Sequence, residues 1–415
     1  MHILLIHQYY QEKDDAGGMR WNAMTKLWAE KGHQITVIAG MGHYAKGVRH
    51  ERYGNKYTHT EQYDTNIRVI RTHVSNAYNT SFRGRMRAYF SFVWSGIFGG
   101  LTKARDKYDV IIVSSPPLSV GIIALVLSFL KRIPFILEVR DLWPESAIDT
   151  GVLTNTTLIK ASYALEKRLY KKAIAINVVT PAMRDVLIRQ KNIHPNKVLY
   201  IPNAADFDLS ENLAGDASVA ALRKQLGLEG YTSFCYVGAH GVANHLEQIL
   251  DTAERVRDEH IKFILIGDGM QKQALMENAQ QRGLTHVVFI DSVVKQEALR
   301  YIMACDVGMS VLKKADTFKT VYSNKTFDYM ACKKPILMAI DGVSRQLVED
   351  ADAGIFVEPE NIDHFTQVVR QFASDSALRT RQGENGYQYV KLHFDRKVLA
   401  DQYLMEITSR IKPRN

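Results

Sequence analysis

The sequence predicts an α/β protein of two doubly wound, parallel-sheet domains. Three observations carry this: the length, a strand–helix alternation that occurs twice, and a polar break between the two runs. At 415 residues the chain exceeds the size at which one hydrophobic core stops growing, so two domains of roughly 200 residues are expected. Short β-branched runs alternate with helical patterns. In the first half the expected strands are 2–6, 35–39, 67–71, 110–113, 135–139, 175–179 and 198–201. In the second they are 233–237, 262–266, 287–290, 307–311, 336–338 and 355–357. Continuous apolar runs, rather than alternating ones, belong to strands covered on both faces. Helical segments such as 21–31, 246–258 and 271–281 supply that cover.

The break falls near residues 202–230. Pro202-Asn203-Ala204-Ala205-Asp206 has turn chemistry, and a polar, small-residue stretch follows up to Gly230. The expected domains are 1–202 and 203–395. A last helix, about 396–410 within the tail 396–415, either packs back onto the first domain or closes the second.

Composition excludes several classes. An apolar fraction of 46% and a charged fraction of 23% are those of a globular protein. Cys235, Cys305 and Cys332 are too few and scattered for a disulfide framework, and no CxxC pair supports zinc. A reducing, cytoplasmic setting follows. Met1–His7 reads as a first strand and not as a secretion signal. The charge is uneven. Residues 1–200 carry 28 basic and 15 acidic side chains, net +13, and the remainder carry 25 and 29, net −4. A one-sided positive field suits a polyanion or an anionic membrane surface, or is simply a solvated face.

Two apolar segments fall short of the roughly 20 residues that span a bilayer. Residues 118–130 follow a strand and precede another, as a buried crossover helix does. Residues 88–101 differ: Arg83, Arg85 and Arg87 precede them, Lys103, Arg105 and Lys107 follow, and Phe82, Tyr89, Phe90, Phe92, Trp94 and Phe98 crowd the segment. Basic ends around an aromatic body describe a segment that lies in a membrane interface, on the inner face of the plasma membrane. A buried helix with a basic rim is the alternative.

Glycine loops follow several strands. Gly17-Gly18 stands after the first. Gly238-Ala239-His240 and Gly267-Asp268-Gly269 stand at strand ends of the second half. Such turns let backbone N–H groups approach a ligand at the carboxyl edge of a sheet, where nucleotides bind. Ser323 and Asn324 are natural caps for a helix carrying Lys325 in its first turn and Asp328 three positions on. A lysine at a helix N-terminus can hold a diphosphate, and the carboxylate can accept from ribose hydroxyls. A capped helix with a Lys–Asp pair fits the same residues. Asp-x-Asp occurs at Asp206–Asp208 and Asp350–Asp352, but neither follows a strand as a metal motif does, so no metal and no cofactor are expected.

These elements resemble the family 4 glycosyltransferases, retaining enzymes of the GT-B architecture, in which two Rossmann-like domains face each other across a cleft. The resemblance runs through Gly17-Gly18, Ile201–Asp206, Ile266–Gly269 and Ser323–Ala331. The string Glu138-Val-Arg140-Asp141-Leu-Trp-Pro-Glu145, preceded by Ser114-Ser115-Pro116-Pro117, is similar to a bacterial polysaccharide-assembly subgroup. That subgroup includes N-acetyl-L-fucosamine transferases of O-antigen and capsule synthesis. It implies that Gly17, Gly18, Gly238, His240, Gly267, Asp268, Ser323, Asn324, Lys325 and Asp328 meet a nucleotide-sugar donor, with UDP the expected nucleotide. It also implies that Arg140 acts at the transferred sugar, with Asp141 or Glu145 orienting it or the acceptor. A lipid-linked acceptor is implied as partner. The sequence departs from the family at Thr320, where the first glutamate of a spaced pair stands, at Asp328, one methylene shorter than the second, and at His240, in a loop that usually carries Arg and Lys. A sugar-nucleotide epimerase of the same fold would not need the basic aromatic segment. A nucleic-acid-binding protein would show a stacking platform or recognition helix, which this sequence lacks.

Overall fold

The computed structural model describes residues 1–12, 20–42, 49–77, 82–149, 151 and 153–411. The chain forms two compact units, one of residues up to Pro202 together with the tail from Lys397, the other of Asn203–Arg396.

Among the described residues the first unit holds eight strands: β1 His2–Ile6, β2 Gln34–Gly40, β3 Thr58–Asp64, β4 Ile67–Thr72, β5 Val110–Ser115, β6 Phe135–Val139, β7 Ala175–Val178 and β8 Val198–Tyr200. Their order is β3-β4-β2-β1-β5-β6-β7-β8. All neighbours run parallel except β3 against β4. The expected strands are all present, each within two residues at either end. β3 is the addition. Its sequence Thr-His-Thr-Glu-Gln-Tyr-Asp lies on the sheet edge with no residue buried, so it carries no apolar run to read.

The second unit repeats the plan with β9 Thr232–Val237, β10 Ile261–Ile266, β11 Val287–Ile290, β12 Val307–Val311, β13 Ile336–Ala339 and β14 Gly354–Phe356. The order is β11-β10-β9-β12-β13-β14, all parallel. Apolar layers cover the sheet: Phe234, Phe263 and Leu337 belong to one, Cys235, Ile264 and Met338 to the other. Alternate residues of each strand serve opposite layers, as a period of two requires.

Residues 207–225 are helical, in two segments Phe207–Leu213 and Ala217–Gln225, where the composition suggested a linker. Phe207, Leu213 and Leu222 are buried, so three well-spaced apolar side chains suffice to dock them.

The last helix, Arg396–Arg410, joins the first unit from Lys397 onward. It buries Leu399, Tyr403, Leu404 and Ile407. Tyr403 lies 5.7 Å from the ring of Trp28 and 6.2 Å from that of Trp21, and the Trp28 indole donates to the Ala400 carbonyl at 3.0 Å.

The aromatic segment forms the helix Phe82–Thr102. Ala88, Tyr89, Phe92, Val93, Gly96, Gly99 and Gly100 face inward. A Cβ at Gly96 would stand 2.6 Å from Ile123 and one at Gly100 2.5 Å from Leu127, so glycine lets this helix press onto its neighbour, Val120–Lys131. Phe90, Trp94 and Phe98, four residues apart, are exposed, Trp94 by 70%. One face of the segment is therefore core, as the buried-helix reading expects, and the other is an exposed aromatic strip.

Candidate functional site

In the second unit the glycine loops after β9 and β10 are pressed together. The Gly238 N–H donates to Ile266 O at 2.9 Å, His240 N–H to Asp268 O at 2.8 Å, and Gln271 N–H to His240 O at 2.9 Å. Gly267 has φ 148°, and a Cβ there would lie 1.8 Å from the Gly238 carbonyl oxygen. Only glycine fits so close an approach. Asp268 is exposed, and its carboxylate accepts from the Gly269 N–H at 2.7 Å.

Lys325, in the first turn of the helix Asn324–Ala331, lies over the Gly238 loop. Its ammonium is 4.5 Å from the centre of the Tyr236 ring. Burial lowers its pKa to about 8, against the opposing pull of Asp328. Ser323 is the N-cap, but its side chain makes no capping bond. Its Oγ instead lies 3.5 Å from Ser310 Oγ, and its N–H donates to Ser344 Oγ at 3.0 Å. Asn324 Oδ1 accepts from the Asn203 amide at 2.6 Å. The helix thus starts without a side-chain cap, beside a cation and a glycine loop, and its positive end is suited to an anion.

Asp328 does not pair with Lys325. It pairs with Lys295, which arrives from the helix Lys295–Ala304. Burial raises the Asp328 pKa, with Asp206 adding to the rise and Lys295 opposing it. Asp206 in turn holds Arg396, which also donates to Ala204 O at 2.9 Å. There Arg396 overcomes the effect of burial, and the Asp206 pKa is lowered.

His240 is fully buried, and neither ring nitrogen has a hydrogen-bond partner among the described residues. Burial, then the charge of Lys272, lowers its pKa to about 4. It is neutral near pH 7 and supplies no charge where the family carries Arg or Lys. Lys272 was not singled out from the sequence. Its ammonium donates to Gly267 O at 2.9 Å and Ile290 O at 3.2 Å and pairs with Asp291 at 2.5 Å. The one signal for it is a lysine opening the helix Lys272–Gln281, where the macrodipole disfavours a cation.

In the first unit the three expected catalytic residues take separate roles. Arg140 follows β6, and its N–H donates to Ser115 O at 3.0 Å. The imidazole of His7, which follows β1, is held neutral by burial and then by the Arg140 charge. Asp141 accepts from Ser146 Oγ at 2.8 Å, at the start of the short helix Glu145–Asp149. Burial raises its pKa. Glu145 is drawn to Lys191, which also meets Glu166 at 3.0 Å. Gly17 and Gly18 lie outside the described residues.

Sequence reasoning missed Arg20. Its guanidinium makes two bonds of 3.1 Å to Glu138 and donates to the carbonyls of Ile201, at 2.9 Å, and Pro202. Asn177 Nδ2 adds a bond of 3.1 Å to Glu138, and its Oδ1 accepts from Ile201 N–H at 2.9 Å. The network is buried and binds the segment after β8 to β6 and β7.

Of the residues assigned to a membrane, Arg83, Arg87, Trp94, Lys103 and Arg105 are exposed and Arg85 is half-buried. No described helix is long and apolar enough to cross a membrane.

Residues 17–204 match the glycosyl transferase 4-like domain, and residues 232–375 match the glycosyl transferases group 1. WcaI of Escherichia coli K12, named for colanic acid biosynthesis, is 24% identical over 98% of this chain and all of its own. WbjE of Pseudomonas aeruginosa, named as a glycosyltransferase, is 24% identical over 64% of this chain and 65% of its own. Anabaena HepE, solved with UDP-glucose, has the same fold with a TM-score of 0.73, at 16% identity over 99% of this chain and 100% of that one. The two parallel sheets with their glycine-bearing turns and these likenesses agree: the chain is an enzyme that belongs to the family 4 glycosyltransferases of GT-B architecture.

Proposed function

We propose that this enzyme transfers a sugar, with retention of anomeric configuration, from a UDP-linked donor to a lipid-linked saccharide in bacterial surface polysaccharide synthesis. The observation that carries the donor assignment is Lys325, a partly buried ammonium set over a glycine loop at an uncapped helix N-terminus. A diphosphate suits it in charge and shape. Asp328 keeps one carboxylate oxygen for ribose hydroxyls while Lys295 holds the other. Arg140 is the cation of the first unit that meets developing negative charge, since a guanidinium stays charged and forks onto phosphate or carboxylate. Asp141 and Glu145 support local structure rather than proton transfer. The name of WcaI and the UDP-glucose complex of HepE support polysaccharide synthesis and a UDP donor.

The test is a panel of UDP-, GDP- and dTDP-sugars with and without a polyprenyl diphosphate sugar acceptor. UDP-sugars are expected to release UDP, faster with acceptor, and to give a product with the donor's anomeric configuration by NMR. Release from none of them overturns the reading.

The acceptor requires a membrane, and the exposed strip Phe90, Trp94 and Phe98 is its docking face. The next two helices on that side of the sheet continue it. Phe129, 81% exposed, ends the helix Val120–Lys131. The helix Thr156–Lys172 exposes Lys160, Lys167, Arg168, Lys171 and Lys172, while its one acid, Glu166, is buried. Each cation near an anionic surface contributes about 1 kcal/mol. Wild-type protein is expected to float with vesicles containing phosphatidylglycerol and not with neutral ones. Trp94→Glu together with Arg83→Glu and Arg87→Glu should abolish flotation. Equal flotation of both proteins would remove this face from the membrane.

A further inference from the structure

One register row of the first sheet breaks the apolar pattern. Ile6 pairs with Val113, so the next position aligns His7 with Ser114. Ser114 pairs with Glu138, and Glu138 with Asn177. Partners in a parallel sheet carry their side chains to the same face. Four adjacent strand ends therefore present His7, Ser114, Glu138 and Asn177 side by side, each at most 7% exposed. The row behaves as two halves. Glu138 and Asn177 are bonded by Arg20, by each other and by Ile201. His7 Nδ1 and Ser114 Oγ have no partner among the described residues. Arg140 lies two residues beyond Glu138, close enough to act on His7.

A buried polar atom left unpaired is costly, and a protein that keeps two of them side by side in a polar row needs a reason. A bound ligand supplies one. A neutral imidazole offers one donor and one acceptor, and a serine hydroxyl offers both. A divalent cation would be repelled by Arg140, and a phosphate would meet Arg140 beside the Glu138 carboxylate, which already holds Arg20. Adjacent hydroxyl groups of a sugar ring, each able to donate and accept, match the set. We propose that His7 and Ser114, with Arg140 beyond them, form a subsite that hydrogen-bonds the hydroxyl groups of a pyranose ring. The ring is either the one transferred or the terminal sugar of the acceptor. The inference rests on the proposed transfer reaction and adds where a sugar is read. Arg20, Glu138 and Asn177 are positioning residues that hold the strand ends in line.

The test uses Ser114→Ala and His7→Phe in the full-length protein. Each removes an unpaired buried group, so the thermal midpoint without ligand is expected to stay level or rise, whereas transfer kcat/KM falls roughly tenfold per lost bond. If the ring is the donor's, affinity falls for the UDP-sugar but not for UDP. If it is the acceptor's, acceptor KM rises while donor hydrolysis is unchanged. A lowered midpoint in both variants assigns the pair to structure, and unchanged turnover in both removes it from the site; either result overturns the proposal. Should the wild type turn over no nucleotide sugar, the transfer reading fails by itself. Saturation-transfer NMR with glucose, N-acetylglucosamine and fucose then decides the subsite. Contact in the wild type that is lost in both variants supports it, and no contact overturns it.

Discussion

Replacing Lys325 by methionine is expected to lower donor kcat/KM by about 10²–10³-fold, the scale of removing one preorganised group that stabilises a leaving oxyanion. Methionine keeps the unbranched stem over Tyr236 and deletes the charge. The thermal midpoint should hold or rise, because the ammonium is desolvated in the free enzyme. The same lysine gives a pH signature. With a pKa of about 8, it is charged below that pH and neutral above it. Affinity for UDP should be level from pH 7 to 8 and then fall, at most tenfold per unit, while the methionine variant shows no such fall. Calorimetric titration of UDP at pH 7 and pH 9.5 measures both. Equal pH dependence in the two proteins, or unchanged kcat/KM, takes Lys325 out of the donor site.

Arg20→Met is expected to be the most destabilising single change in the first unit. It leaves Glu138, fully buried, without its main partner, and unpairing a buried ion pair costs about 3–5 kcal/mol. In a unit of this size that corresponds to a drop of roughly 10 °C in its thermal midpoint. Adding Glu138→Gln should recover much of the loss, since the amide carries no charge to strand and still accepts from Asn177. If the double variant is no more stable than the single one, the cost lies in the Ile201 and Pro202 contacts and not in the buried charge.

The strands were readable because burial on both faces writes each as an unbroken apolar run. β3 shows the converse: with no buried residue it leaves no such mark. The helices at 207–225 were hidden because serine, alanine, glycine and aspartate serve linkers and small helices alike, and only docking by Phe207, Leu213 and Leu222 tells them apart. At the site, the Lys325 helix and the pressed glycine loops could be placed from local spacing and turn chemistry. Partners could not. Asp328 and Lys325 sit one turn apart, yet Lys295 takes the carboxylate from another helix. Arg20 and Glu138 are separated by 118 residues, and no periodicity links them. Asp141 and Glu145 show the same limit: near neighbours in sequence, they turn to different partners, Ser146 and Lys191 respectively.

The place of the last helix bears on how the protein is made. A ribosome delivers the first two hundred residues long before Lys397, yet Trp21 and Trp28 receive Tyr403 and the Ala400 carbonyl only from that late segment. The half begun first is completed last. Throughout synthesis of the second half, a tryptophan-lined groove on the nascent chain stays open to water, to chaperones and to other nascent chains. Docking of the helix Arg396–Arg410 closes it.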